Sequence, residues 1–283
     1  MPASTSLENT LRRAKDMLRE AGISSWALDA DILMTYVLKL RREQLITNNK
    51  YLLSCGEEKL FWSFVEKRLN SMPVSYITNT VEFMGLNFYI NENVLIPRPD
   101  TETLVEAAIA YINKSGSKSV LDMCSGSGAM AVSISHYCPD VKVAAADICS
   151  KALTVAKKNA ESNKAFIDFI KSDMFENVER TFDVIVSNPP YISRKEMAEL
   201  HKNVADYEPR LALYGGEDGL DFYKVLSKAG KYLNSEGKIF LEIGSTQKND
   251  ITEIFASENF YPVSALKDLA GLDRTLIFGK NID

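Results

Sequence analysis

Histidine is scarce in this chain: there are two in 283 residues, His136 and His201. Neither lies in an HxxxH or HxE pattern, which argues against a zinc centre, and no metal is expected. Cysteine is little used as well. Cys55, Cys124, Cys138 and Cys149 form no CxxC pair, and without a secretory signal they read as reduced thiols. Long apolar runs are missing, and MPASTSLENTLRR at the start holds no apolar stretch of the signal-peptide kind. The expectation is a cytoplasmic protein with no membrane partner. A surplus of positive charge is also missing. Residues 1–75 hold 11 Lys/Arg and 9 Asp/Glu, and residues 76–283 hold 22 and 29, for a net charge of −5. Neither part is the strongly basic surface that non-specific nucleic-acid binding needs, which disfavours such a partner.

What is present is enough chain for a sizeable core in one large or two unequal domains. Residues 6–71 read as helices. Leu7, Leu11, Ala14, Leu18 and Ala21 recur at helical spacing up to Gly22. Ser24 or Ser25 can cap a second helix, with Leu28, Ile32, Leu33, Tyr36 and Leu40 on one face. Leu60, Phe61, Phe64, Val65 and Leu69 mark another. We take residues 1–72 as a small helical bundle that docks a partner, because no chemistry-bearing motif falls in it. Residues 73–99 read as a β-hairpin linker: Tyr76, Val81, Phe83, Leu86, Phe88 and Ile90 alternate with smaller or polar residues around Gly85. It ends in Ile96-Pro97-Arg98-Pro99-Asp100-Thr101-Glu102, an extended connector with Arg98 between prolines and Thr101 placed to cap the next helix.

Residues 100–283 alternate strand and helix, which implies a mostly parallel sheet. Strands are expected at 119–122, 141–146, 166–170, 182–186, 238–242, 259–265 and 274–279. Helices are expected at 129–137, 151–162, 219–233 and 248–256.

The polar residues at the ends of these strands carry the chemistry. Phe182 to Val186 is an apolar run ending in Ser187, and Asn188-Pro189-Pro190-Tyr191 follows. Neither proline has an N–H for the sheet, so the chain leaves as a stiff lip at the carboxyl end of a strand, where open α/β sheets bind ligands. That lip offers acceptors and a flat ring but no acid, base or nucleophile, a set suited to holding a planar NH2 group. Asp122-Met123-Cys124-Ser125-Gly126-Ser127-Gly128 is a tight turn between strand and helix, and it is neither a GxGxxG turn nor a P-loop. Asp147 closes the next strand, where a carboxylate accepts from two ribose hydroxyls. Asp173 follows the third strand and can accept from an adenine amino group, with Met174 covering the base. Singly, each is as well explained as a helix cap. Together at successive strand ends they are not.

This order of motifs resembles the class I, S-adenosylmethionine-dependent amino-methyltransferases. Phe83-x-Gly85, the 96–102 connector, Val186 to Ile192, Glu208-Pro209-Arg210-Leu211-Ala212-Leu213, Gly215-Gly216-x-Asp218-Gly219-Leu220 and Leu241-Glu242-Ile243-Gly244 are similar, more narrowly, to the bacterial release factor glutamine methyltransferases (the HemK/PrmC family). The resemblance covers nearly the whole chain. It implies a five-helix N-terminal domain before a Rossmann-like methyltransferase domain with a mostly parallel seven-stranded sheet. It also implies S-adenosyl-L-methionine as cofactor, leaving as S-adenosyl-L-homocysteine. Cofactor contacts are then expected from Cys124, Ser125, Gly126, Ser127, Gly128, Asp147, Asp173, Met174 and Asn188, and substrate contacts and catalysis from Asn188, Pro189, Pro190 and Tyr191, with Arg98 as a further substrate contact. Cys124 departs from the glycine usual in the family. A side chain there would strain a left-handed backbone, so negative φ or a shifted backbone is expected.

The activity implied is methylation of the glutamine N5 in the Gly-Gly-Gln loop of class 1 peptide chain release factors, by an enzyme expected to be a monomer. An amide nitrogen is a poor nucleophile, because its lone pair is delocalised. The mechanism expected is therefore positioning: Asn188 and the Pro189 carbonyl accept the two amide hydrogens, Tyr191 walls the pocket, and the proton leaves late. The alternative is a nucleic-acid amino-methyltransferase acting on adenine N6 or guanine N2, which the same lip would serve. The acidic 76–283 part disfavours it. A non-catalytic binding protein on the same fold is disfavoured by the intact Asp147, Asp173 and Asn188.

Overall fold

The apolar spacing of the first part of the chain does produce helices. In the computed structural model, which describes residues 5–268 and 270–280, these are α1 (Leu7–Glu20), α2 (Trp26–Leu38), α3 (Arg42–Thr47), α4 (Cys55–Leu69) and α5 (Val74–Thr78). Ser6 caps α1 by accepting the Asn9 N–H, and Ser54 and Glu57 form a reciprocal capping box on α4. Leu7, Leu11, Ala14, Leu18, Leu33, Met34, Phe61 and Val65 enclose one core. The buried face of α2 differs from the one its apolar spacing suggests. Leu28 and Tyr36 are exposed, whereas Asp29 and Asp31 are buried with Ala30, Leu33 and Met34. Asp29 is tied to Arg68 (2.7 Å) and Asp31 to Lys15 (2.7 Å) and Arg42 (3.2 Å), so partners from other helices offset the cost of burying the two carboxylates. Tyr76, read as part of a strand, lies in α5. This unit runs to Asn79 and also includes Lys202–Tyr207, where Tyr207 Oη donates to the Asn70 carbonyl (2.6 Å).

The second unit comprises Thr80–His201 and the chain from Glu208 onward. It opens on a hairpin of β1 (Thr80–Phe83) and β2 (Leu86–Tyr89). Its two-residue turn, Met84-Gly85, has positive φ at both positions, the turn that matches strand twist. The elements that follow are α6 (Pro99–Ser115), β3 (Ser119–Met123), α7 (Ala129–Tyr137), β4 (Lys142–Asp147), α8 (Ser150–Ser162), β5 (Ile167–Lys171), β6 (Phe182–Ser187) and α9 (Arg194–Met197). After α10 (Lys202–Ala205) of the first unit come α11 (Asp221–Leu226), β7 (Leu233–Glu242), α12 (Lys248–Ala256), β8 (Phe260–Lys267) and β9 (Asp273–Lys280). Two boundaries differ from expectation by more than two residues. The helix expected over 219–233 is α11 followed by a 3-10 turn at Ser227–Lys231, and β7 starts at Leu233 rather than Lys238.

The seven strands pair in the order β5-β4-β3-β6-β7-β9-β8, parallel except for the β7–β9 and β9–β8 pairs. Both faces are covered, so β3, β4 and β6 are apolar almost throughout. Alternate residues enter opposite layers. Leu121, Met123, Ala144, Ala146 and Ile185 pack with Tyr223, Leu226, Ile251 and Phe255 of α11 and α12. Val120, Val143, Ala145, Val184 and Val186 pack with Leu104, Ala108, Val132 and Ile134 of α6 and α7. From β3 the chain winds outward through β4 to β5, then returns to β6 on the other side of β3. The carboxyl ends of β3, β4 and β6 therefore meet at a topological switch point.

Candidate functional site

A cavity of about 320 Å³ opens at that switch point. Cys124, Ser125, Gly126 and Ser127 from the β3–α7 turn line it. So do Asp147 at the end of β4, Asp173 and Met174 after β5, and Asn188 and Pro190 after β6. Gly128, Pro189, Tyr191 and Arg98 are not part of the lining.

The turn after β3 is held from below. Asp122, fully buried, accepts the Ala131 N–H (3.0 Å) in the first turn of α7, and burial pushes its carboxyl well above the usual range. Gly128 caps α7 at φ +75°. A Cβ there would come 2.9 Å from the Ala156 Cβ, so glycine lets α7 approach α8 closely. Cys124 overturns the expectation of negative φ: it sits at +63°. The turn's hydrogen bonds hold it there, with Ser125 N–H donating to the Ala146 carbonyl (3.1 Å) and Gly128 N–H to the Ser125 carbonyl (2.8 Å). Its thiol donates to the Met174 sulfur (3.8 Å), and burial first, then Asp147 and Asp122, push its pKa far up, so it stays protonated.

Each Asp147 oxygen already accepts one backbone N–H, from Gly126 (2.8 Å) and from Cys149 (2.8 Å). Burial raises its pKa, and those two donors pull it back. A carboxylate oxygen has two lone-pair sites, so each keeps one for a ligand hydroxyl. Ser125 Oγ is buried against the cavity with no hydrogen-bond partner among the described residues, and nothing stands over Gly126. Paired acceptors, an unpaired hydroxyl, backbone free to be approached and the buried, apolar Met174 together fit a nucleoside carrying a polar tail, as S-adenosylmethionine does.

The lip after β6 is braced from behind. A Cβ on Gly215 would come within 2.6 Å of the Pro190 carbonyl oxygen, which is why glycine stands there. Gln247 Nε2 donates to the carbonyls of Tyr191 (3.0 Å) and Gly219 (3.3 Å). The Tyr191 ring packs on the core beneath, and its hydroxyl faces Glu242 (3.4 Å); burial first, then the Glu242 charge, push its pKa far up. Pro189 is buried.

Every polar residue of the 98–102 connector has a partner. Arg98 occupies the N-cap position of α6, and Thr101, expected as the cap, lies inside the first turn. Arg98 pairs with buried Glu208, Asp100 with Arg274 (3.6 Å), Thr101 with Glu242 (2.5 Å), and the Glu102 carboxylate accepts the Met84 N–H (2.6 Å). That last bond sets the hairpin so that Phe83 lines the cavity. Thr101, read only as a helix cap, and Glu242 and Phe83, read only as motif residues, had no assigned role at the site. Glu242 does carry the signal that identified Asp147, an acid at the end of an apolar strand.

Residues 101–211 match the model of the Methyltransferase small domain. The fold is similar to that of a methyltransferase from Pyrococcus furiosus, at a TM-score of 0.52 and 22% identity over 70% of this chain and 90% of that one. With the switch-point cavity and its acidic strand ends, these matches make the chain a class I, S-adenosylmethionine-dependent methyltransferase. Residues 9–78 match the PrmC N-terminal domain. The chain is 41% identical to the release factor glutamine methyltransferase of Clostridium acetobutylicum, over 96% of this chain and 97% of that protein. It is 37% identical to the one from Chlamydia trachomatis serovar D, over 95% and 92%. It belongs to the release factor glutamine methyltransferase family.

Proposed function

We propose that this protein methylates the side-chain nitrogen of the glutamine in the Gly-Gly-Gln loop of class 1 peptide chain release factors, in the cytoplasm where translation runs. The observation that carries the reading is Asn188. Its carboxamide enters the cavity at the end of β6, on the same wall system as Asp147 and the Cys124–Ser127 turn. S-adenosylmethionine, held by Asp147, Asp173, Met174 and the turn, supplies an electrophilic methyl group.

The chain's own contribution is positioning. Among the described residues lining the cavity, the charged side chains are Asp147 and Asp173, and the nucleoside needs both. That leaves no histidine, lysine or glutamate to deprotonate an amide. The Asn188 Oδ1 accepts a hydrogen of the glutamine amide and fixes its nitrogen toward the methyl donor. As the N–CH3 bond would form, the donor's S–CH3 bond would break and leave a neutral thioether, and the amide proton would pass late to solvent. Orientation of this kind contributes on the order of 7–11 kcal/mol to a barrier. Pro190 and Phe83 close the apolar walls, and Tyr191 and Gln247 keep the lip rigid from outside the cavity.

The family membership and the absence of Lys and Arg among the described lining residues support a protein amide over a base within nucleic acid. The test is to offer labelled S-adenosylmethionine with a class 1 release factor, with duplex DNA or with single-stranded RNA. Label on the release factor is expected. Label on nucleic acid alone would overturn the reading.

A further inference from the structure

Asn188 can serve as an acceptor only if its carboxamide stands with oxygen toward the substrate. A carboxamide is close to symmetric in shape, so something must decide which way round it sits. The structure places a hydroxyl, that of Thr101 on the cavity wall, and a buried carboxylate beside it. Asn188 Nδ2 lies 3.3 Å from Thr101 Oγ1, and Thr101 Oγ1 lies 2.5 Å from Glu242 Oε2. Thr101 is 4% exposed and Glu242 1% exposed, so water does not substitute for either partner.

We propose that Glu242 and Thr101 are positioning residues that set the orientation of the Asn188 carboxamide and thereby make the site selective for an NH2 group. This rests on the reading of Asn188 given above. Burial raises the Glu242 pKa, and the Thr101 hydroxyl and then the Arg274 charge pull it back toward the ionised form; that carboxylate only accepts hydrogen bonds, and a threonine hydroxyl has a single proton. Thr101 therefore gives its proton to Glu242, and toward Asn188 it offers a lone pair alone. Asn188 must answer with its NH2, and Oδ1 then faces the cavity. The other Glu242 oxygen faces the Tyr191 hydroxyl (3.4 Å), so the carboxylate has a donor on each side. Tyr223 Oη donates to the Glu242 main-chain carbonyl (2.8 Å), and Ser187 Oγ to the Met123 carbonyl (2.7 Å), which fix the two strand ends that carry Glu242 and Asn188. The direction of the relay matters chemically. A reversed Asn188 would present two N–H groups to the substrate NH2 and repel it.

The relay is tested in full-length protein by two measurements. The first needs no substrate. With asparagine labelled in 15N, the wild-type protein should show a nuclear Overhauser contact between the Asn188 side-chain NH2 and the Thr101 methyl group. A well-resolved Asn188 NH2 without that contact overturns the proposal, whatever the enzyme methylates. The second is kinetic, with a class 1 release factor as acceptor. Thr101→Val should lower kcat about a hundredfold, with KM and the dissociation constant for S-adenosylmethionine within about threefold of wild type. Thr101→Ser, which restores the hydroxyl, should recover most of kcat. Equal kcat in the Val variant and wild type overturns the relay, as does an equal loss in the Val and Ser variants. If wild-type protein leaves release factor unlabelled while the nuclear Overhauser contact is present, the substrate reading fails and the relay stands.

Discussion

Arg98 and Glu208 form an ion pair in which the carboxylate side chain is 1% exposed and the guanidinium 36%. The pair ties the connector leading into α6 to the segment that brings Pro209, Leu211 and Ala212 to the cavity wall. It gives Arg98 a structural task in place of direct contact with the cavity.

Removing one partner strands the other. Breaking a buried pair costs roughly 3–5 kcal/mol, and the partial exposure of Arg98 places this one below that range. Arg98→Ala is expected to lose about 2–3 kcal/mol in urea unfolding. A loss under about 1 kcal/mol would show that solvent already screens the pair.

Cys124 stands at φ +63° where glycine would carry no strain. The left-handed conformation costs a residue with a side chain about 1–2 kcal/mol, and glycine's extra freedom in the unfolded chain costs about 0.4–1 kcal/mol. Cys124→Gly is thus expected to raise stability by about 0.5–1 kcal/mol, with cofactor affinity unchanged. A fall in the melting temperature would mean that the thiol's contact with Met174 outweighs the strain.

Asp183, the second residue of β6, accepts hydrogen bonds from the N–H groups of Lys118 (2.7 Å) and Ser119 (3.0 Å), the Ser119 hydroxyl (3.0 Å) and Asn234 (2.6 Å). Burial pushes its pKa up, but Asn234, Lys118 and Ser119 together outweigh that and hold it below the usual value. A lowered folded pKa means stability that is fully present above the unfolded carboxylate pKa and lost as pH falls through the folded one. Asp183→Asn is expected to cost about 1–2 kcal/mol at neutral pH. The gap between the two proteins should narrow below about pH 4. A constant gap across that range would contradict the assignment.

Asp147→Ala removes the two acceptors that we assign to ribose hydroxyls. Calorimetry should show S-adenosylmethionine affinity falling about a hundredfold. Unchanged affinity would refute the ribose role.

Much of the site was legible because its signals are local. An apolar run ending in Asp147 or Asn188, and a glycine turn between strand and helix, announce a strand-end site without any knowledge of partners. The connector was visible as a motif, but its purpose was not. Thr101 meets Glu242 141 positions away, and Arg98 meets Glu208 110 positions away, so only the folded sheet brings them together. The same reason hid the buried face of α2. The apolar spacing of Leu28 and Tyr36 points to the wrong face, because the burial of Asp29 and Asp31 depends on Arg68 and Lys15 from other helices. Gly128 reads as a ligand-facing glycine, and only the packing of α8 shows that it makes room for Ala156.

The proposed role of Asn188, presenting a protein glutamine amide for methylation, is read by mass spectrometry of a class 1 release factor after incubation with S-adenosylmethionine and either wild-type or Asn188→Ala protein. One added methyl on the Gly-Gly-Gln glutamine is expected with wild type, and none with the variant, which still binds the cofactor with nearly wild-type affinity. A methyl group on that glutamine at an undiminished rate with Asn188→Ala, or a methyl group placed elsewhere by wild type, would contradict it.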